Sequence, residues 1–156
     1  DPDRIYMQAA LEEARKAYEL NEIPVGAVVV ESGRIVGRGH NSSITLHDPS
    51  AHAEMIALRT AGKRLGNYRL TRATIYVTIE PCIMCMGALL HARVMRLVYG
   101  ADDPRAGAAG SIFDVSADPR LNHRIVVRRG VCADACSALL RDFFSAKRRR
   151  RDGRAG

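Results

Sequence analysis

The chain has 156 residues, 47% hydrophobic and 26% charged, which fits one globular domain with a sizeable core and excludes a disordered chain, a collagen-like repeat or a disulfide-dense miniprotein. No apolar run approaches the ~20 residues of a membrane span and the start, DPDRIYMQAALEEARKAY, lacks a signal-peptide pattern, so a cytoplasmic protein with no membrane partner is expected. The net charge of +7 is uneven, because residues 147–156 (KRRRRDGRAG) hold six basic residues and one acid, leaving +2 for the rest. A folded body over 1–146 and a basic, disordered tail over 147–156 are therefore expected. The tail reads either as a solvated end or as a phosphate-contacting arm with salt-sensitive affinity for nucleic acid.

Residues 3–20 place Met7, Ala10, Leu11, Ala14, Ala17 and Tyr18 at helical spacing, with Glu12, Glu13, Arg15 and Lys16 largely elsewhere, which predicts a helix. Pro24 then opens VGAVVV (25–30), an apolar run suited to a buried strand. Ser32-Gly33 turns it into RIVGRGH (34–40), so a hairpin is expected. NSSITLHDPS (41–50) is polar and reads as a loop. Asp48-Pro49-Ser50 marks a helix start, with AHAEMIALRTAGKRL running to a stop at Gly66.

Further along, ATIYVTI (73–79) is rich in β-branched residues and predicts a central strand. Pro81 can begin a helix through CIMCMGALLHA. RLVYG (96–100) predicts another strand, and residues 101–120 a loop whose length points to function. IVVRRG (125–130) is a last strand, and Ala133, Cys136, Leu139, Leu140, Phe143 and Phe144 mark a final amphipathic helix. The pattern is one α/β domain with helices on both faces of a sheet.

Two short segments can carry chemistry: His52-Ala53-Glu54 and Pro81-Cys82-Ile83-Met84-Cys85. Each falls at the first turn of an expected helix. Cysteines three apart on a helix share a face, so Cys82 and Cys85 can reach one metal ion. A helix N-terminus favours their thiolates, and His52 supplies a third ligand. Zinc takes about four ligands, which leaves a position for water, as in catalytic rather than structural sites. Two thiolates, a neutral imidazole and Zn²⁺ sum to zero, so the ion can pull the pKa of bound water toward ~7. Glu54 is better placed to shuttle a proton than to ligate. Taken singly, each group has a plainer reading: a redox CxxC pair, a structural histidine, a solvated helix carboxylate. Cys132 and Cys136 share a face of the last helix with no third ligand near them in sequence, and read as buried small hydrophobes.

Jointly, H-x-E, 26 intervening residues and P-C-x-x-C form a signature found in zinc deaminases. The sequence resembles the cytidine/deoxycytidylate deaminase superfamily and, within it, the bacterial tRNA-specific adenosine deaminases, roughly from Tyr6 to Phe144. The resemblance is carried by PVGAVVV (24–30), GHN (39–41), HDPSAHAE (47–54), NYRL (67–70), ATIYVTIEPCIMCMGA (73–88), GAAGS (107–111), NHR (122–124) and DFF (142–144). NYRL, GAAGS, NHR and DFF are similar to the tRNA-editing branch.

That resemblance implies a cytidine deaminase-like α/β fold, a three-layer α/β/α sandwich around a five-stranded mixed sheet. It also implies a zinc-dependent hydrolase with one Zn²⁺ per subunit, acting as a homodimer on a tRNA anticodon stem-loop. Its reaction would be hydrolytic deamination of the wobble adenosine of an arginine tRNA to inosine. His52, Cys82 and Cys85 match the zinc ligands, and Glu54 matches the catalytic proton shuttle. Asn41 matches a residue that hydrogen-bonds the target nucleoside. Asp103 and Arg105 fall in an anticodon-contacting loop, and Phe144 where the family stacks a neighbouring base. A small-molecule deaminase acting on guanine, cytosine or a free nucleoside shares the zinc core, and a non-catalytic zinc-dependent RNA-binding module is a further alternative. Glu54 weighs against the latter, since a structural zinc has no need of it.

Overall fold

The structure is a computed structural model that describes the backbone of residues 1–155 and the side chains of residues 1–153. Helix α1 (Pro2–Glu19) starts with Pro2 in its first turn and the Asp1 carboxylate accepting from the Asp3 N–H at 3.1 Å. The buried residues Met7, Ala10, Leu11, Ala14 and Ala17 recur at helical spacing and lay one stripe of α1 on the sheet.

Strands β1 (Gly26–Glu31) and β2 (Arg34–His40) form the expected antiparallel hairpin. β3 (Thr74–Ile79) lies antiparallel to β1, while β4 (Arg96–Ala101) and β5 (Val126–Arg128) continue in parallel, giving a mixed five-stranded sheet in the order β2-β1-β3-β4-β5. Side chains alternate across it. Ala27, Val29, Ile75, Val77, Leu97 and Tyr99 pack on one face with α3 (Ala53–Leu65) and α4 (Ile83–His91). Val28, Val30, Tyr76 and Val98 pack on the other with α1 and α5 (Ala133–Ala155). This is the three-layer α/β/α arrangement implied by the resemblance.

Two glycines of β2 let α3 sit directly on the sheet. A Cβ at Gly37 would overlap the Ala57 carbonyl, and one at Gly39 would overlap the Ala53 carbonyl. That contact sets the depth at which the first turn of α3, and so His52 and Glu54, enters the domain.

Several boundaries differ from the sequence reading. The expected loop at 41–50 contains a four-residue helix, α2 (Ser43–Leu46), because the buried Glu22 carboxylate accepts from Ile44 N at 3.2 Å and from Thr45 N and Oγ1 at 2.7 Å each. The helix expected from Asp48-Pro49-Ser50 begins later, at Ala53. There Asp48 makes a local turn instead, accepting from Ser50 N at 2.8 Å and Ser50 Oγ at 2.7 Å. Likewise α4 starts at Ile83 rather than Pro81, with Cys82 as N-cap. β5 spans only Val126–Arg128 of the expected 125–130; Gly130 follows in the left-handed region at φ 76°, and the Arg129 side chain donates to the Ala109 carbonyl at 2.8 Å.

The largest difference is at the end of the chain. A disordered tail was expected from residue 147, and instead α5 runs unbroken through Ala155, with Gly156 outside the described residues. Arg and Lys are good helix formers, and cations near a helix C-terminus complement its dipole. The arginine run therefore extends the helix.

Candidate metal centre

His52 is the N-cap of α3 and Cys82 the N-cap of α4, and neither side chain is used to cap its own helix. Both are left free to point at a common point, and Cys85 joins them from the first turn of α4. His52 Nδ1 lies 3.6 Å from Cys82 Sγ and 3.5 Å from Cys85 Sγ, and all three donor atoms fall within 4.8 Å of one another. Zinc–nitrogen and zinc–sulfur bonds of ~2.0 and ~2.3 Å at a tetrahedral angle require N···S separations of ~3.6 Å. The donors thus fit one zinc ion in both kind and spacing.

Electrostatics favours the same occupant. The Cys85 thiol, with His52 assisting, holds Cys82 down at about 4, so a thiolate is present in this pair. Cys85 is pushed up by its hydrogen bond to that thiolate and by burial, and His52 is raised by its contact with Cys82.

Glu54, in the first turn of α3, is 3% exposed. Burial pushes its carboxyl up to about 7, with its own backbone N–H and His52 pulling the other way. Asn41 lies against the same turn: its Oδ1 accepts from the Ala53 N–H at 2.9 Å, capping α3 between His52 and Glu54. The bond fixes the side chain and leaves its amide N–H₂ for a ligand.

The remaining expected site residues meet in a separate groove. Asp103 and Arg105 from the long loop and Phe144 from α5 line one cavity of about 580 Å³, together with Ile23, Leu140 and Arg148. Phe144 is 41% exposed, which leaves ring surface for stacking. Asn41 is not among the residues lining this groove. Past Phe144 and Arg148 a second, basic groove of about 470 Å³ continues along α5 between Lys147, Arg150 and Arg151.

Cys132 and Cys136 stay apart from the metal centre. Both thiols are free and pack in the core formed with α1, and burial raises Cys136 to about 12. Sequence reasoning missed the buried carboxylates of Glu22 and Glu80. The one local hint was an acid placed directly after the apolar strand TIYVTI.

Residues 1–101 match the family profile described as the cytidine and deoxycytidylate deaminase zinc-binding region. The chain belongs to this family. The deaminase is 52% identical over 147 residues to a tRNA-specific adenosine deaminase of Haemophilus influenzae, covering 94% of this chain and 85% of that one. Among solved structures it is similar to a tRNA:A34 deaminase studied for A-to-I editing at the wobble position, with TM-score 0.84, 42% identity, and coverage of 86% of this chain and 98% of that one. It is more distantly similar to a guanine deaminase from Nitrosomonas europaea, with TM-score 0.76, 30% identity, and coverage of 90% and 83% respectively. The fold is therefore cytidine deaminase-like, the enzyme class is a zinc-binding deaminase of the tRNA-specific adenosine deaminase branch, and its cofactor is one zinc per subunit. Among the described residues no helix is long and apolar enough to cross a membrane.

Proposed function

We propose that this deaminase converts adenosine to inosine at the wobble position of a tRNA anticodon, with an arginine tRNA as substrate. The reading is carried by one combination in the same domain: a three-donor metal centre with a buried carboxylate, and a separate groove of an exposed aromatic ring and arginines. The loop that forms the groove is tied to the metal centre through a β-bridge between Gly107 and Cys82. A deaminase of a free base needs no such groove. The higher identity to the tRNA-acting relative than to the guanine deaminase supports the same choice.

In this reading His52, Cys82 and Cys85 hold zinc, which when bound supplies a Lewis acid that eases ionisation of water near neutral pH. Glu54 takes the proton from the attacking water and returns protons to the purine ring and the N6 amine. The C6–N6 bond breaks and ammonia leaves, so adenosine and water become inosine and ammonia. Asn41 holds the target nucleoside through its amide N–H₂. Asp103 and Arg105 contact the backbone flanking that nucleoside, and Phe144 stacks on a neighbouring base. The target must leave its stack to reach a buried carboxylate, which is cheaper from a loop than from a duplex.

The domain of this reading spans residues 1–146, and the basic end of α5 adds contacts to phosphates. A homodimer in the cytoplasm completes it. A broad groove lined by Met55, Leu58, Gly62, Tyr68 and Ala88, with Tyr68 76% exposed, supports a second copy covering α3 and α4.

Purified protein incubated with an arginine anticodon stem-loop, followed by nucleoside analysis, tests the proposal. Inosine at the wobble position is expected. Ammonia release from guanine or cytidine with no inosine in the RNA would transfer the assignment to a small-molecule deaminase.

A further inference from the structure

The loop that carries Asp103 and Arg105 has no regular secondary structure over most of its length, yet it is tightly tied at one point. Glu80 follows the last residue of β3, is 1% exposed, and donates its own N–H to the Ala101 carbonyl at 2.8 Å. Its carboxylate gathers the loop. Oε1 accepts from Asp103 N at 3.0 Å and from the Ser111 hydroxyl, while Oε2 accepts from Ala109 N and Ser111 N at 3.0 Å each. Every partner is a backbone N–H or hydroxyl of this one loop, and the two ends of its 103–111 segment converge on one side chain.

The fit leaves no slack. A Cβ at Gly107 would overlap the Glu80 carboxylate, so the loop backbone is pressed against it. Ala109 is gripped at both of its polar groups: its N–H by Glu80, and its carbonyl by Arg129 Nη2 at 2.8 Å. Next to the clamp, the Asp103 carboxylate accepts from Arg105 N at 3.0 Å and Ala106 N at 3.2 Å, which turns the chain so that Arg105 faces the groove with Phe144.

We infer that Glu80 is a positioning residue for RNA binding: its carboxylate sets the conformation of the loop from Asp103 to Ser111, and so the place of Asp103 and Arg105 in the groove. The inference rests on the tRNA reading above. An amide cannot replace the carboxylate. In Glu80→Gln either orientation of the side chain turns an N–H₂ toward a backbone N–H, leaving at least one buried donor unpaired.

The test compares wild type, Glu80→Gln and the milder Ser111→Ala as full-length, zinc-loaded proteins. For Glu80→Gln, KM for an anticodon stem-loop is expected to rise about tenfold, the effect of one or two lost buried hydrogen bonds. Its kcat should stay within about threefold, because the metal ligands and Glu54 are untouched. Zinc content by elemental analysis should match wild type. Ser111→Ala should raise KM less, in the same direction. A second readout needs no substrate: native-state trypsin cleavage after Arg105, mapped by mass spectrometry, should be faster in Glu80→Gln than in wild type.

Unchanged KM and unchanged cleavage in Glu80→Gln would overturn the inference, as would loss of zinc, which would make Glu80 a support of the metal centre. If Glu80→Gln does not fold, Ser111→Ala decides, with a raised KM upholding the clamp and an unaltered KM refuting it. If wild type forms no inosine, the tRNA reading fails on its own, and the cleavage rates still decide whether Glu80 holds the loop.

Discussion

His52, Glu54, Cys82 and Cys85 stand at the first turns of two helices, with Glu54 3% and Cys85 0% exposed, whereas Asp103, Arg105 and Phe144 come from a loop and a distant helix and face water. In the proposed function the first group acts from fixed positions around the buried Glu54 and Cys85, where a charge or a donor is least screened by water. In the same proposed function the second meets a hydrated polyanion, where each contact is screened and adds a little. Changes in the buried group should therefore abolish turnover, while changes in the exposed groove should alter affinity and its dependence on salt.

The hardest test of this contrast is removal of a ligand. Cys85→Ser should lose its zinc and all deamination, and should melt lower because metal binding is coupled to folding. Elemental analysis and a thermal melt measure both, and full metal content would break the assignment. Next, Glu54→Ala should keep zinc and bind the stem-loop as tightly as wild type while its rate falls ~10²–10⁴-fold. A single-turnover assay beside fluorescence anisotropy separates the two quantities, and a parallel loss of RNA affinity would blur the division between the regions.

Asn41 belongs to the metal-centre side, where it caps the turn that carries Glu54, and Asn41→Ala should show it. Loss of the cap on Ala53 N should cost ~1 kcal/mol of stability. Loss of the amide N–H₂ should lower kcat/KM about tenfold, and activity with intact stability would refute the capping role. In the exposed region, replacing Lys147, Arg148 and Arg151 together by Gln should flatten the slope of log affinity against log salt by ~2, at ~0.7–0.9 per phosphate contact, with kcat within about twofold. A slope equal to wild type would leave the basic end of α5 as a solvated surface.

The smallest effect on activity should come from outside both regions. The Arg96 guanidinium, with Tyr76 and Arg128 assisting, holds the Asp3 carboxyl well below the usual carboxylate range. The stability this contributes is complete above the unfolded value near ~4 and is lost as pH falls through the folded value. Asp3→Asn should lower stability by about 2 kcal/mol at pH 7, given that Arg96 and Arg128 are partly exposed. The gap to wild type should shrink as pH drops below ~4, with kcat unaffected at neutral pH. Urea midpoints at pH 7 and pH 3 check the sign.

The metal centre was legible because its determinants are local. A histidine before a helix, a glutamate two residues on, and two cysteines spaced by a helical turn carry their chemistry wherever the helices are set. The long loop was legible as functional from its length, and Phe144 from its place in DFF. Glu80 was not, since a single acid after a strand shows nothing of the four donors that converge on it from residues 103–111. Glu22 hid in the same way, because the helix it caps lies about twenty residues away in the chain. The tail was misread for a different reason. Net charge argued for a solvated coil, while the helix propensity of arginine and continuity with an anchored helix prevailed.

Residue type and spacing thus decided the main strands and helices and which faces are apolar, since these depend on neighbours within a few residues, and the paired H-x-E and P-C-x-x-C motifs named the donors for zinc. Only the tertiary structure decided that His52 and Cys82, thirty residues apart in the chain, lie 3.6 Å apart, and that a loop with no regular structure is held in one shape. Buried polar groups must find partners wherever the folded chain brings them, and that pairing is a property of three dimensions.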